Sequence, residues 1–170
     1  MSVDEPLLSV VIPTYNEAQN IGVLIDRISS ALQGVPHEII VADDDSPDRT
    51  WEVVERICAV KKNVRLLHRV SPRGLYPAVS DAFAAASGSR LAVIDADLQH
   101  DERILPAMLD AMTESGCSLA GGSRHAEGGG TETWNAARRR LSRAGNALVG
   151  FVLGQPVRDP LSGFFMIDRR

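Results

Sequence analysis

Asp95-Ala96-Asp97-Leu98-Gln99-His100 is the stretch whose residue types can do chemistry. It follows the apolar run Leu91-Ala92-Val93-Ile94, which reads as a buried strand. Side chains alternate along an extended chain, so Asp95 and Asp97 are expected to point the same way, with the small Ala96 leaving room between them. Two carboxylates followed by an amide and an imidazole suit Mg²⁺ or Mn²⁺, which bind few protein carboxylates and complete their shells with phosphate oxygens. A lone Asp-x-Asp is also a common solvated turn at a strand end. The other blocks of the chain decide between these readings.

Two further strand ends carry polar groups. Pro13-Thr14-Tyr15-Asn16-Glu17 follows Leu8–Ile12 and offers one aromatic and one acid at the sheet edge where α/β proteins bind ligands. It also reads as a helix start, with Asn16 as cap, Gln19 three residues on and Tyr15 as packing. Asp43-Asp44-Asp45-Ser46-Pro47-Asp48 puts four acids in six residues after the run Glu38–Ala42. Such a cluster repels itself unless something uses it: one carboxylate can accept a base edge or a ribose hydroxyl, and Asp48 can cap a helix.

The elements that must position these blocks alternate. Strand 8–12, stopped by Pro13, is followed by a helix with the stripe Ile21, Leu24, Ile25, Ile28 and Leu32. Strand 38–42 leads to a helix from Thr50 carrying Val53, Val54 and Ile57. Val64–Leu67 is a third strand, and Pro77 suits the first turn of a helix through Ala82, Phe83 and Ala86, ended by Gly88. After the Asp-Ala-Asp strand come a helix marked by Ile104, Leu105, Met108, Leu109 and Met112, and a strand at Ser118–Gly122. This alternation predicts an α/β fold: a mostly parallel sheet with helices on both faces. Beyond Arg124, residues 125–133 read as a mobile loop with Gly128-Gly129-Gly130. A helix from Trp134 to about Leu153 is then basic in its first half (Arg138, Arg139, Arg140, Arg143) and apolar in its second. It reads as a core helix with a solvated cationic end, or as a helix meeting a membrane surface or a lipid phosphate.

The chain's 170 residues suffice for one domain with a full core. No run approaches the roughly 20 apolar residues of a membrane span, and the N-terminus lacks the basic region of a signal peptide, so a cytoplasmic setting is expected. Cys58 and Cys117 each sit in an apolar pattern and are expected as reduced, buried thiols. The four histidines show no zinc-ligand spacing. The net charge of -4 hides an asymmetry: residues 1–120 carry 10 basic and 18 acidic side chains, residues 121–170 carry 8 and 4. The basic C-terminal part calls for an anionic partner, phosphate being the simplest; no nucleic-acid partner is expected.

Six blocks, taken together and in order, resemble the glycosyltransferase family 2 enzymes and within them the polyprenol-phosphate (dolichol-phosphate) mannosyltransferases. They are residues 13–17, 43–48, 95–100, Gly122-Ser123-Arg124, Trp134 with Arg138-Arg139 and Ser142-Arg143, and Arg158-Asp159-Pro160 followed by Ser162-Gly163-Phe164-Phe165. The resemblance implies a GT-A fold, a single catalytic domain over residues 1–170 without the family's usual C-terminal part, and a divalent metal, Mg²⁺ or Mn²⁺. It implies transfer of a sugar with inversion from a nucleotide-sugar donor, GDP-mannose favoured, to a polyprenyl phosphate at the cytoplasmic face of a membrane, with the protein peripheral. By position, Pro13, Tyr15, Glu17, Val41 and Asp43 would hold the donor's nucleoside. Asp95, Ala96, Asp97 and Gln99 would hold metal and diphosphate, with Asp95, Asp97 and Gln99 as the metal's ligands and Arg124 on the phosphates. Arg138, Arg143 and Ser162 would face the acceptor phosphate. Asp45 and Arg49 stand where family members often have a neutral residue and Gly, and Tyr76-Pro77 replaces small residues usual after Gly-Leu.

An ionised lipid phosphate needs no base to attack the anomeric carbon, so Asp97 and Arg124 would act chiefly on the leaving diphosphate. A hydroxyl acceptor would need a general base, for which Asp159 is the candidate. A UDP-sugar donor and a non-catalytic nucleotide-sugar binder remain alternatives. A receiver domain needs a late strand ending in Lys, and no Lys follows Lys62; a dinucleotide fold needs Gly-x-Gly-x-x-Gly after the first strand, where Pro-Thr-Tyr-Asn-Glu stands.

Overall fold

The computed structural model describes residues 7–122 and 163–169. In order these form β1 (Leu8–Thr14), α1 (Ile21–Ala31), β2 (His37–Asp43), α2 (Thr50–Val60), β3 (Val64–His68), α3 (Leu75–Ala85), β4 (Arg90–Val93), a 3₁₀ turn at Glu102–Ile104, α4 (Leu105–Ser115), β5 (Leu119–Gly121) and β6 (Phe165–Asp168). The described strands make one sheet in the order β3-β2-β1-β4-β6-β5. β1 lies parallel to β2 and β4, and β2 parallel to β3. β6 runs antiparallel to both β4 and β5. The alternating pattern is therefore borne out as a mostly parallel sheet. The reversed strand β6 was not foreseen, because its four residues follow a stretch whose polar and glycine content masks a strand signal.

Strand alternation sorts the core onto the two faces. Val10, Ile12, Ile39, Val41 and Ala92 pack with Ile21, Leu24, Ile25, Ile28 and Leu32 of the first helix and its end, Val54 of α2, and Leu105, Met108, Leu109 and Met112 of α4. Val11, Ile40, Ala42, Leu91 and Val93 face the other way, against Ala78, Ala82 and Ala86 at α3. Both faces of the central strands are covered, which is why they read as unbroken apolar runs.

Three expectations are corrected. β1 does not stop at Pro13 but continues to Thr14. The carbonyl of Val11 accepts from Ile94 on the β4 side and that of Thr14 from Asp44 on the β2 side, so by alternation the missing N–H of Pro13 faces the β4 side. The β1–β4 pairing has already ended there, at Val11 and Val93, and no ladder bond is lost. Asn16 does not cap α1, which starts only at Ile21. Asn16 sits at φ +63° and gives its N–H to Ser46 Oγ at 3.0 Å, while the helix is entered through a turn in which the Glu17 carbonyl accepts from Asn20 and Ile21. Cys117 is exposed rather than buried; Cys58 is half-buried, and both thiols are free. The loop at 125–133 and the helix at 134–153 lie outside the described residues.

At the amino edge of the sheet a buried polar knot closes the strands. Glu38 accepts from Ser9 Oγ at 2.7 Å, from the Ser87 N–H at 2.6 Å and from Arg65 at 2.9 Å, and Gly88 N–H donates to Ser9 Oγ at 2.8 Å. Burial pushes the Glu38 carboxyl up, but the bonds from Ser9, Ser87 and Arg65 outweigh it and hold it below its ordinary 4.5. A depressed folded-state value stabilises the protein above the unfolded value and loses that contribution as pH falls through the folded one. Urea midpoints of the native chain should therefore drop between about pH 5 and pH 3, and Glu38→Gln should flatten that part of the profile. Gly88 is packed so tightly that an added Cβ would lie 2.6 Å from Ser9 N and 2.9 Å from Leu8 C. Gly88→Ala should cost about 2 kcal/mol in urea denaturation.

Candidate active site

β1 to β4 are parallel, so their carboxyl ends share one edge of the sheet, and all the polar blocks on them arrive there. The loops after β1 and β2 are tied together by side chains. Asp43 is fully buried and accepts from Thr14 Oγ1 (2.8 Å), Ser46 N–H (2.9 Å) and Ser46 Oγ (2.7 Å). Thr50 Oγ1 accepts from Glu17 N–H at 2.9 Å, and Asp48 accepts from Ala18 N–H at 3.0 Å and Thr50 N–H at 3.0 Å. The N-cap position of α2 is Arg49 rather than Asp48; Asp48, one residue earlier, takes the N–H of the helix's first residue and ties it to the neighbouring loop. Burial opposes the charge on Asp48, yet the bonds from Thr50 and Ala18 hold its carboxyl below the usual range.

Between these loops and the start of α3 opens a cavity of about 400 Å³, lined by Pro13, Thr14, Tyr15, Asp44, Arg73, Gly74, Leu75 and Ala78. Of the residues expected to hold a nucleoside, Pro13 and the exposed Tyr15 line it. Val41 and Asp43 are buried behind the edge, and Glu17 is half-buried with its carboxylate taken by Asn20 Nδ2 at 2.8 Å. The wall acid is Asp44, one residue on. It is paired with the buried Arg69, and its other oxygen accepts from the Gly74 N–H. No sequence pattern marks Arg69 or Gly74 for this role: a single Arg after a strand gives no signal of burial. Asp45 bonds His68 Nε2 at 3.0 Å and Arg73 at 2.6 Å; the His68 bond first, then the charge of Arg73, holds its carboxyl low.

The Asp-Ala-Asp block also sits at this edge, in a conformation that corrects the extended-strand expectation. β4 ends at Val93, residues 96–97 form a turn, and Leu98 takes φ +59°. Same-side placement by strand alternation therefore does not apply. Asp97 is exposed and Oδ1 accepts from the N–H of the exposed Gln99 at 3.1 Å; Asp95 Oδ2 lies 3.3 Å from His100 Nε2. Because β6 is reversed, its amino end reaches this edge too, and Gly163 meets Asp95. A Cβ on Gly163 would lie 2.4 Å from Asp95 Oδ2, and the buried Phe164 tilts against the His100 ring at 5.4 Å. Gly122 backs this corner, donating its N–H to the Phe164 carbonyl at 2.9 Å. Arg124, Arg138, Arg143, Asp159 and Ser162 lie outside the described residues.

Hard oxygen ligands in small number, with one face of Asp95 closed by Gly163 and Asp97 open to solvent, fit an Mg²⁺- or Mn²⁺-type ion whose remaining positions are filled by phosphate and water. Among the described residues no three His, Cys, Asp or Glu side chains form a metal cluster, so a second source of ligands is part of that fit. Gly163→Ala should push the Asp95 carboxylate aside and weaken Mn²⁺ binding by about tenfold, measured by calorimetry, with far-UV circular dichroism unchanged.

Comparison with known proteins places this geometry. The model of the family described as Glycosyl transferase family 2 matches residues 9–170. The chain is 43% identical over 165 residues to a dolichol-phosphate mannosyltransferase of Pyrococcus furiosus, covering 95% of this chain and 46% of that protein. It is 36% identical over 159 residues to a polyprenol monophosphomannose synthase of Mycolicibacterium smegmatis, covering 91% and 59%. It spans about half the length of the curated relatives it matches. Among solved structures it is similar to a mannosyltransferase from Pyrobaculum calidifontis in complex with GDP-Man and Mn²⁺ (TM-score 0.59, 25% identity, 69% of this chain and 35% of that one). It is also similar to a glucosyl-3-phosphoglycerate synthase from Mycobacterium tuberculosis in complex with Mn²⁺, UDP-glucose and phosphoglyceric acid (TM-score 0.69, 26% identity, 96% and 57%). With the family model matched over residues 9–170 and the strands and helices superposing on solved glycosyltransferases, the chain belongs to glycosyltransferase family 2 and has its GT-A fold.

Proposed function

We propose that this chain carries the donor site of a metal-dependent, inverting glycosyltransferase that moves mannose from GDP-mannose to a polyprenyl phosphate. The observation that carries the reading is the adjacency, on one sheet edge, of a cavity of about 400 Å³ and the Asp95–Asp97 turn. The names of the relatives support mannose and a polyprenyl phosphate, and the GDP-Man and Mn²⁺ bound to the Pyrobaculum neighbour support the donor and the metal class. Tyr15 and Leu75 offer apolar walls to a base, and Asp44 and Arg73 offer an acceptor and donors to its edge or to the ribose. Asp95, Asp97 and Gln99 are the proposed metal ligands; a bound Mg²⁺ or Mn²⁺ would supply Lewis-acid stabilisation of the departing diphosphate.

The acceptor needs no base from the chain. Its phosphate is ionised near neutral pH and attacks the anomeric carbon as the bond to the nucleoside diphosphate breaks, inverting that centre. Arg124 is proposed to offset charge on the leaving diphosphate, and Arg138, Arg143 and Ser162 to hold the acceptor phosphate, by position in the family's blocks. A position at the cytoplasmic face of a membrane fits this acceptor; among the described residues no helix is long and apolar enough to span a bilayer. A second reading, a UDP-sugar donor, is favoured by the UDP-glucose complex of the Mycobacterium neighbour.

Calorimetric titration with GDP and with UDP, each with and without Mn²⁺, separates these readings. GDP should bind in the presence of Mn²⁺ at least about tenfold more tightly than UDP, and Asp97→Ala should abolish the metal's contribution. Tighter Mn²⁺-dependent binding of UDP would move the reading to a UDP-sugar. Binding of neither nucleotide would overturn the donor site.

A further inference from the structure

The cavity wall formed by Asp44 and the segment 72–74 depends on a residue that does not line the cavity. Arg69 follows β3 directly and is only 5% exposed, so its guanidinium must be satisfied inside the protein. Nε donates to Asp81 Oδ2 of α3 at 2.9 Å, one terminal nitrogen donates to the Pro72 carbonyl, and the other pairs with Asp44 Oδ1. Its own N–H donates to the Asp43 carbonyl at 2.8 Å. One planar group thus joins the end of β2, the segment leading to α3, and α3 itself. The far oxygen of Asp44 then takes the N–H of Gly74, a residue whose φ of +127° suits only glycine.

We propose that Arg69 is a positioning residue for donor binding, acting through Asp44 and the segment 72–74. The inference rests on reading the cavity as the nucleotide site. Both groups it steadies line the cavity: Asp44 is an acceptor in the wall, and Arg73 on the segment 72–74 is a donor. With Arg69 in place, the Asp44 charge is offset on its inner side and its oxygens are fixed, so it presents as a directed acceptor. Without it, a carboxylate that is 6% exposed loses its counter-charge in the cavity wall, and the Pro72–Gly74 backbone loses its anchor. Lysine keeps the charge but is a point donor that cannot bridge three acceptors in the plane of a guanidinium.

The test is the dissociation constant of the nucleotide that the native chain binds with Mn²⁺, measured for Arg69→Lys and Asp81→Ala, with circular dichroism and Tm recorded for each. Arg69→Lys should raise the constant about tenfold, and Asp81→Ala, which removes only the outer anchor, about threefold. A purely structural arginine would lower Tm and leave the constant of the folded protein unchanged. If Arg69→Lys does not fold, Asp81→Ala decides by the same criterion. Native-like binding by the folded variants would overturn this inference and leave the donor-site reading standing. Absence of nucleotide binding by the native chain would overturn both.

Discussion

The working edge depends on a carboxylate with no access to water. Asp43 ends β2 fully buried, and an isolated charge in such a place would cost many kcal/mol. It is tolerated because Thr14, at the end of β1, and Ser46, in the following loop, surround it with two hydroxyls and an N–H. Ser46 Oγ in turn accepts from Asn16, so one buried acid fixes the exits of two adjacent strands. Pro13, Tyr15 and Asp44 reach the cavity from chain segments that this acid holds.

The same edge collects backbone conformations that side chains ordinarily avoid. Asn16, Asp45, Arg49 and Leu98 all have positive φ, and all lie in the loops after β1, β2 and β4. Asn and Asp enter this region at little cost, whereas Arg49 and Leu98 pay more. Around Asn16 and Arg49 the conformations are over-determined by the side-chain bonds from Ser46, Asp48 and Thr50, the condition under which strain persists at a functional edge. Glycine would take the φ of +62° at Arg49 without that cost.

What the sequence made legible follows from what is local. Apolar runs and helical stripes identified β1 to β4 and the buried faces of α1 and α4, because burial on both sides of a parallel sheet leaves a continuous signal. The acidic blocks were legible as strand ends. Their division of labour was not: of four neighbouring acids, Asp43 is internal, Asp44 lines the cavity, Asp45 pairs outward with His68 and Arg73, and Asp48 ties the start of α2 to the loop after β1. That division depends on which donors arrive from the end of β1, the end of β3 and the segment before α3, which lie up to 30 positions away in the chain, as with Asp44 and Gly74, and no local pattern encodes it. The meeting of Gly163 with Asp95 was hidden for the same reason, since it needs β6 to enter the sheet in reverse between β4 and β5.

Register between β1 and β2 needs two separate controls. A slip by one residue would turn Val10 and Ile12 to the face now held by Val11, and the helices on the two sides exclude it by burial alone. A slip by two keeps every apolar residue on its own face, so burial does not oppose it strongly. What opposes it are the two carboxylates of β2. Glu38 stands directly across from Ser9 and Asp43 directly across from Thr14, each accepting its partner's hydroxyl. Moving β2 by two residues would separate both pairs at once and leave two buried acids short of donors, a penalty of several kcal/mol in a sheet whose middle is otherwise indifferent. The polar residues that look anomalous in apolar strands are therefore what sets the strands' relative height, and with it the level at which Tyr15, Asp44 and the Asp95 turn meet.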